Sequence, residues 1–358
     1  MRRSAALATA GKGRDVSRLF GLRAQALRGR REYLKYLRSL PDPLGSLCAT
    51  FYEQRVKRVA PKPLLGEYLP WFIGDLLGIP TTVTSRVAAC WLPLYLQILA
   101  IDDLLDRSAE TQPELLPIVA TVFGEQGHLA YMRLLGNDDR FWEPFNRYWL
   151  RMGVAGAREI QLRRGKIARI SPHDWAAAGE KIELVKVCYT SLALASGRNP
   201  RPEDLRALED FAVGSQLFDD ISDWEEDLAI GNFTPLLSRA FRGKKPITLT
   251  RDGSLVRIVE SGALASCIAE CERRFERAAA RSGFDPGSRG IRFLRLLVAN
   301  LRELGRLEVA AAVALARQKR RVDHPGHTER TGQLTRDEGV TRVLRRLDES
   351  IRVVAQSS

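Results

Sequence analysis

Several features that mark other protein classes are missing from this 358-residue sequence. Its five cysteines include no CxxC pair, and neither a histidine nor a third cysteine lies close enough to Cys267 and Cys271 to complete a zinc site. The arginine-containing N-terminus has no apolar stretch long enough for a secretory signal peptide. We therefore expect a cytoplasmic protein with reduced thiols.

Hairpin turns and long apolar runs are also missing. No Asn-Gly or Asp-Gly pair separates two alternating, strand-like runs, which argues against β-hairpins. The longest apolar run, Val87 to Ile101, is interrupted by Pro93 and Gln97 and is too short to cross a bilayer. It predicts a buried core helix in a protein without a transmembrane segment. With 45% apolar and 28% charged residues, the composition is that of a globular protein.

Nearly every long segment has apolar residues at helical spacing, and proline or glycine separates these segments. The pattern predicts an all-α fold. The predicted helices cover residues 16–39, 44–59, 64–77, 82–106, 114–135, 140–167, 172–196, 203–230, 253–282 and 287–320. We assign residues 1–40 to a basic leader, residues 41–321 to one helical domain, and residues 322–358 to a polar linker with a short C-terminal helix.

Negative charge is scarce in the chain as a whole, because 43 Asp and Glu face 56 Lys and Arg, a net charge of +13. Residues 1–40 carry eleven Lys or Arg against Asp15 and Glu32, and a second basic cluster runs from Arg317 to Arg321. Such an excess suits nucleic acid, an anionic surface or a highly charged anionic substrate, and it also suits solvated helix faces. Charge alone does not choose among these alternatives.

Two short stretches nevertheless concentrate acidic residues. In IDDLLDR, Asp102 and Asp106 are four residues apart, so a helix directs them the same way, with Asp103 nearby. In QLFDDISDWEED, acidic residues recur every four positions and are flanked by more: Asp219, Asp220, Asp223, Glu226 and Asp227.

Repulsion between such neighbours destabilises a helix by a few tenths of a kcal/mol per pair unless a cation neutralises it. Mg²⁺ is bound through a few carboxylates and completes its coordination with water and phosphate oxygens. The two stretches therefore predict a Mg²⁺ site for a diphosphate ester, where metals and basic residues stabilise the charge on the leaving group.

At these residues the chain resembles the class I isoprenoid synthases, which include prenyl diphosphate synthases, class I terpene cyclases and head-to-head synthases. The resemblance covers about residues 45–320 and implies a single helical bundle around a central apolar cavity, with two acidic motifs facing each other at its mouth. It implies catalytic roles for Asp102, Asp103 and Asp219. It also implies Mg²⁺ ions, three in number and completed by the substrate diphosphate, with these ligands: Asp102, Asp103, Asp106, Asp219, Asp220, Asp223 and Asp227.

Further positions match the prenyl synthase pattern. Gln216 opens the QxxDDxxD form of the second motif, and Gln161 precedes Lys181 at nearly the family spacing. Together with Arg317 from the second basic cluster, these residues are the expected substrate-binding set. One departure follows the second motif in DLAIGNFTPLL, where Asn232 stands at a position that is usually Lys.

Two larger departures concern the branch of the family. The GGKxxRP segment before the first motif and the paired arginines after it are replaced by PKPLLGEYLPWF and DRSAETQPEL. In elongating synthases the GGKxxRP segment and the paired arginines bind isopentenyl diphosphate. Because both are missing here, we expect a terpene cyclase acting on a linear prenyl diphosphate of C15–C20 or longer. A chain-elongating synthase is the alternative, and the DWEED segment also fits head-to-head synthases. A nucleic-acid-binding protein and a non-catalytic subunit are the remaining readings. We expect a homodimer that binds no nucleic acid.

Overall fold

The structure is a computed structural model that describes residues 23–59, 65–106, 113–163, 179–242, 250–281 and 289–323. These residues form α-helices, with short 3₁₀ turns at Pro113–Leu115 and Glu180–Ile182, and contain no β-strand. The helices are α1 (Arg23–Leu37), α2 (Leu44–Val59), α3 (Leu65–Leu76), α4 (Thr81–Asp106), α5 (Leu116–Leu135), α6 (Asp139–Arg163), α7 (Val185–Ala195), α8 (Pro202–Ser222), α9 (Trp224–Ile230), α10 (Pro235–Ala240), α11 (Arg251–Glu260), α12 (Ala263–Arg281) and α13 (Arg289–Asp323).

The chain divides into two compact units. The first consists of residues 1–147, 185–201 and 284–293, and the second of residues 148–184, 202–283 and 294–358. Helices α1–α5 and α7 belong to the first unit, and α8–α12 belong to the second. The first acidic motif therefore lies in the first unit, and the second motif lies in the second unit.

The core of the first unit is built around α4, which packs against α3, α5 and α7. Apolar side chains of α4 such as Leu92 and Leu96 meet Phe123 of α5 and Phe51 of α2 in one buried cluster. Gly124 of α5 lets Gln97 of α4 approach closely, because a Cβ at this position would lie 2.4 Å from the Gln97 amide nitrogen. This close packing places the polar Gln97 against the backbone of α5.

The interpretation of residues 87–101 as part of a core helix agrees with this packing. Within the described part of the chain, Thr81–Leu105 is the one stretch long and apolar enough to cross a membrane by length and composition, and half of its most apolar window is buried inside the protein. The buried helices of a folded core pass the same test of length and composition, so this finding is weak evidence for a membrane span.

The second unit is organised by the pairing of α8 with α12. Phe275 of α12 packs against Gly214 of α8, and the Cys271 thiol donates to the Gly214 carbonyl at 3.0 Å. Asp210 of α8 is buried and accepts hydrogen bonds from Arg274 and Arg281 of α12, each at 2.9 Å. These contacts fix the helix that carries the second acidic motif.

All five cysteines are free and buried, in agreement with the expectation of reduced thiols. Burial raises the pKa of Cys48 to about 11 and that of Cys90 to about 12. The thiols are therefore protonated at neutral pH, because burial outweighs the opposing effect of Arg86 on Cys90 and of Arg239 on Cys267.

In the described part of the chain, three of the predicted helices are interrupted. In the helix predicted over residues 172–196, residues 180–184 form a 3₁₀ turn and a further turn before α7 begins at Val185. The helix predicted over residues 203–230 ends at Ser222 and resumes at Trp224, because Asp223 leaves the helical backbone conformation with φ −111° and ψ 16°. The helix predicted over residues 253–282 is divided at Ser261 and Gly262, where Gly262 has a φ of +74° that only glycine adopts easily. The short helix α10 was not predicted.

Other predictions fall on residues that the structure does not describe. These are the leader before Arg23, the parts of predicted helices at residues 164–167 and 172–178, and the tail beyond Asp323. The predicted domain boundaries at residues 40 and 321 stay predictions.

Candidate active site

The first acidic motif occupies the last turn of α4. Asp102 is exposed, whereas Asp103 is buried, with only 3% of its surface accessible. Successive residues of a helix point about 100° apart, so packing on one side of α4 separates the two carboxylates. The side chain of Asp106 lies outside the described residues.

Arg55 of α2 is the ion-pair partner of Asp103. The same guanidinium donates to the carbonyl oxygen of Leu99 at 3.0 Å and lies over the Phe51 ring, 5.7 Å from its centre. Arg55 therefore ties α2 to the final turns of α4 and holds the backbone that presents Asp102. Nothing in the sequence pattern indicated this pairing, because 48 positions separate Arg55 and Asp103.

The aromatic residues that precede the first motif form part of the core. Trp91 is buried, donates from its indole nitrogen to the Gly66 carbonyl at 2.9 Å and stacks on Tyr95. Burial raises the pKa of Tyr95 to about 12, and the Asp102 carboxylate is among the charges that raise it further. Tyr95, a half-buried phenol two helical turns before Asp102, is consequently neutral.

The second acidic motif spans the end of α8 and the start of α9. Asp219 and Asp223 are accessible to solvent, and the backbone nitrogen of Asp223 donates to the Asp219 carbonyl at 2.9 Å. Asp227 continues the same series, since its backbone nitrogen donates to the Asp223 carbonyl at 3.0 Å. The sequence predicted that the three aspartates form a stripe along one face of a continuous helix; the helix is broken at Asp223, and the four-residue backbone hydrogen bonds continue across the break.

Asp220, by contrast, is turned into the protein. Gln216, one turn earlier, donates from its side-chain amide to one carboxylate oxygen at 3.0 Å. The other oxygen, Oδ2, is buried and makes no hydrogen bond with any group in the described parts of the chain. Burial, followed by the repulsion of Asp227 and Asp219, raises the pKa of Asp220 well above its ordinary value despite the Gln216 hydrogen bond.

Asp227 is held by the loop that follows α9. The side-chain amide of Asn232 donates to its carboxylate at 2.7 Å, and the Asn232 backbone nitrogen donates to its carbonyl at 2.8 Å. Asn232 itself is buried. Burial raises the pKa of Asp227 to about 7, although the Asn232 hydrogen bond opposes this shift.

Lys181 and Glu159 lie within electrostatic range of the same carboxylate. Their side chains form an ion pair with the Lys181 ammonium 2.5 Å from a Glu159 oxygen. The Lys181 ammonium lowers the pKa of Asp227, and the Glu159 carboxylate raises it. Gln161, two residues beyond Glu159 on α6, is exposed. The sequence predicted Lys181 and Gln161 as substrate-binding residues and predicted no role for Glu159. The only indication of Glu159 was that it lies in the same EIQL segment as Gln161.

Arg317 lies on α13, and its side chain falls outside the described residues. In the second unit the structure thus assembles Asp219, Asp223 and Asp227 with Lys181, Glu159 and Asn232. In the first unit it presents Asp102 and turns Asp103 toward Arg55.

Comparison with known proteins identifies the fold. No family model matches the sequence, and no curated protein matches it. A crystal structure of polyprenyl synthase from Caulobacter crescentus CB15, complexed with calcium and isoprenyl diphosphate, superposes with a TM-score of 0.58. The match covers 83% of this chain and 97% of that chain. The chain has the isoprenoid synthase fold.

The all-α prediction and the predicted isoprenoid synthase fold are confirmed. Sequence identity to the polyprenyl synthase is 15%, so the likeness establishes the isoprenoid synthase fold and leaves the reaction to be argued from the residues.

The residues on this fold fit a hard divalent cation. No cluster of three or more His, Cys, Asp or Glu in the described ranges is compact enough to hold a metal ion alone. Mg²⁺ is ordinarily bound through one or two carboxylates and the phosphate oxygens of a substrate, so it requires no such preformed cage. The accessible carboxylates of Asp219 and Asp223 and the half-buried carboxylate of Asp227 supply hard oxygen donors.

Proposed function

We propose that this chain is a Mg²⁺-dependent class I terpene synthase that ionises a linear prenyl diphosphate of C15–C20 or longer and releases diphosphate. The observation that carries the proposal is the series Asp219, Asp223 and Asp227, of which the first two are accessible, with Lys181 in the electrostatic neighbourhood of Asp227, on an isoprenoid synthase fold. The similar polyprenyl synthase was crystallised with calcium and isoprenyl diphosphate, which supports a divalent cation and a prenyl diphosphate for this chain.

Burial divides the predicted metal ligands into two groups. We assign metal binding to the four aspartates at accessible or half-buried positions, which are Asp102, Asp219, Asp223 and Asp227. We also keep Asp106 as a predicted ligand. Asp103 and Asp220 are buried and already engaged by Arg55 and Gln216, so we assign them a positioning role in place of direct coordination. Mg²⁺ held by these carboxylates would supply the positive charge that neutralises the diphosphate and stabilises the leaving group.

Lys181 is the proposed cationic contact to the diphosphate. Its ammonium is paired with Glu159, which orients it and offsets part of its charge while the site is empty of substrate. A diphosphate oxygen would compete with Glu159 for the same ammonium protons. Gln161 and Arg317 stay candidates for substrate binding, whereas the Gln216 amide acts through Asp220.

One feature favours ionisation and cyclisation over chain elongation. The two segments that bind isopentenyl diphosphate in elongating synthases have no counterpart in this sequence. Chain elongation is the second candidate, favoured by the similarity of the fold to a polyprenyl synthase.

One assay decides between them. The purified protein is incubated with Mg²⁺ and farnesyl, geranylgeranyl or longer diphosphates, with and without isopentenyl diphosphate, and the hydrocarbons and prenyl chain lengths are analysed. Hydrocarbon formed without isopentenyl diphosphate supports the terpene synthase. Longer diphosphates that form only in its presence would establish elongation.

The acidic residues are tested in the same assay. Asp102→Asn and Asp219→Asn should each abolish turnover and leave the helical circular dichroism spectrum unchanged, because both positions are exposed. Glu143→Gln, at an exposed position of α6 in the first unit, is a matched charge change and should keep full turnover. Near-normal activity in either aspartate variant would refute the metal assignment. The three-ion stoichiometry, the homodimer and the absence of nucleic-acid binding are further predictions.

A further inference from the structure

The outer face of α1 carries a stripe of cations. Arg28, Arg31 and Lys35 are all exposed and lie within one side of the helix, because their spacings of three, four and seven residues keep them in line. The stripe extends about 10 Å along the helix axis. Ala26 and Leu37 on the opposite side are buried, so α1 is amphipathic. The exposed Glu32 lies beside the stripe, so the outer face carries three cations and one carboxylate and stays net positive.

The pairing of these side chains distinguishes them from the other arginines of α1. Arg30, on the inner side, is buried and donates to both oxygens of Glu67, at 2.9 Å and 2.5 Å. Arg38, just beyond the helix, pairs with Glu53 at 2.5 Å. Within the described ranges, no carboxylate forms an ion pair with the three side chains of the stripe. The fold thus satisfies the inner arginine and leaves the outer stripe to solvent.

An exposed aromatic side chain follows the stripe on α1. Tyr36, the next residue after Lys35, is 47% exposed although its ring stacks on Tyr33 at 6.0 Å. An aromatic ring with an apolar body and a polar hydroxyl, next to a row of cations, is the composition of helices that lie at the membrane interface.

We propose that α1 docks the protein on an anionic lipid surface, with Arg28, Arg31 and Lys35 toward the headgroups and Tyr36 at the interface. Charge complementarity decides the sign of the partner, since three unpaired cations attract anionic headgroups. The exposed Tyr36 ring favours a lipid surface over nucleic acid, whose phosphate backbone would be bound by the cations alone. This inference goes beyond the proposed reaction and does not depend on it.

Vesicle co-sedimentation tests the proposal with the full chain. The vesicles contain phosphatidylcholine alone or phosphatidylcholine with 30 mol% phosphatidylglycerol, the composition we specify for the assay. The test variant is Arg28→Gln/Arg31→Gln/Lys35→Gln. The control variant Arg86→Gln/Arg147→Gln/Arg206→Gln removes the same charge from three exposed positions elsewhere.

The wild-type chain should bind the anionic vesicles and not the neutral ones, and about 0.5 M salt should release it. The test variant should bind about 10- to 100-fold more weakly, and the control variant should change by less than about threefold. The separate variant Tyr36→Ser should also weaken vesicle binding relative to the wild type, without altering the salt dependence of binding.

Three outcomes would overturn the proposal. If the test and control variants lost vesicle binding equally, binding would depend on the net charge of the protein and not on α1. If the test variant bound as well as the wild type, the binding surface would lie outside α1. Binding of the wild type to a single-stranded oligonucleotide but not to vesicles, lost in the test variant, would make the stripe a nucleic-acid surface. Because binding is measured without substrate, failure here leaves the proposed reaction untouched.

Discussion

The side-chain amide of Asn232 donates a hydrogen bond to the Asp227 carboxylate across 2.7 Å, and the backbone nitrogen of Asn232 binds the Asp227 carbonyl at 2.8 Å. One residue therefore fixes both the side chain and the main chain of the last acid in the second motif. The GNFTP segment makes this geometry possible: Gly231 ends α9, and the Thr234 side chain caps α10.

Asn232→Ala should uncouple the Asp227 carboxylate from the loop. We expect a loss of about 1–2 kcal/mol in the free energy of unfolding, because a buried hydrogen bond to a carboxylate is removed. Turnover should fall about tenfold or more, because Asp227 is no longer held in place. Asn137→Ala, at an exposed position, is the control and should change neither quantity. Full activity in Asn232→Ala would exclude the positioning role.

Arg55→Met should destabilise the first unit. The substitution leaves the Asp103 carboxylate buried without its ion-pair partner, which costs about 3–5 kcal/mol in comparable cases. Adding Asp103→Asn to the same chain should recover part of that loss, because the uncompensated charge is removed. Urea titrations of the single and double variants measure the coupling. If the two losses were additive, the pair would contribute no interaction energy.

Asp102→Asn provides the contrast within one motif. Because Asp102 is exposed, its substitution should alter stability by less than about 0.5 kcal/mol while turnover is lost.

Lys181→Met and Glu159→Gln should move diphosphate affinity in opposite directions. Removing the ammonium should weaken binding of inorganic diphosphate about 10- to 100-fold, as expected for a lost hydrogen bond between charged groups. Removing the carboxylate should tighten binding about three- to tenfold, because Glu159 no longer competes for the Lys181 ammonium. Inhibition by inorganic diphosphate measures both effects. Equal weakening in the two variants would show that Glu159 orients Lys181 and does not compete with the ligand.

Mg²⁺ and diphosphate together should stabilise the fold. At concentrations of about 100 times the dissociation constant, a ligand that binds only the native state adds about 2.7 kcal/mol, which raises Tm by about 3 °C or more. Either component alone should act weakly, because phosphate oxygens complete the Mg²⁺ coordination. Asp223→Asn should reduce the joint effect, and Glu226→Gln, an exposed neighbour, serves as the control. A shift from Mg²⁺ alone that equals the joint shift would indicate a preformed protein site.

Helical periodicity predicted the boundaries of α2, α3, α4 and α5 to within about two residues, because each has a clear apolar face and a proline or glycine near an end. It did not predict the breaks at Asp223 and Gly262. An aspartate inside an acidic helix and a glycine after a serine are both compatible with a continuous helix. Packing against neighbouring helices decided that the chain turns there.

Local sequence was enough to predict the all-α class, the two acidic stretches and the four-residue spacing of Asp219, Asp223 and Asp227. These follow from local periodicity, which sets how residues of one helix lie relative to each other. The burial of Asp103 and Asp220 and the exposure of Asp102 and Asp219 depend on the packing of the fold. The tertiary structure also chose the partners Arg55 for Asp103 and Glu159 for Lys181, because burial and ion pairing depend on which distant segments pack against a helix face.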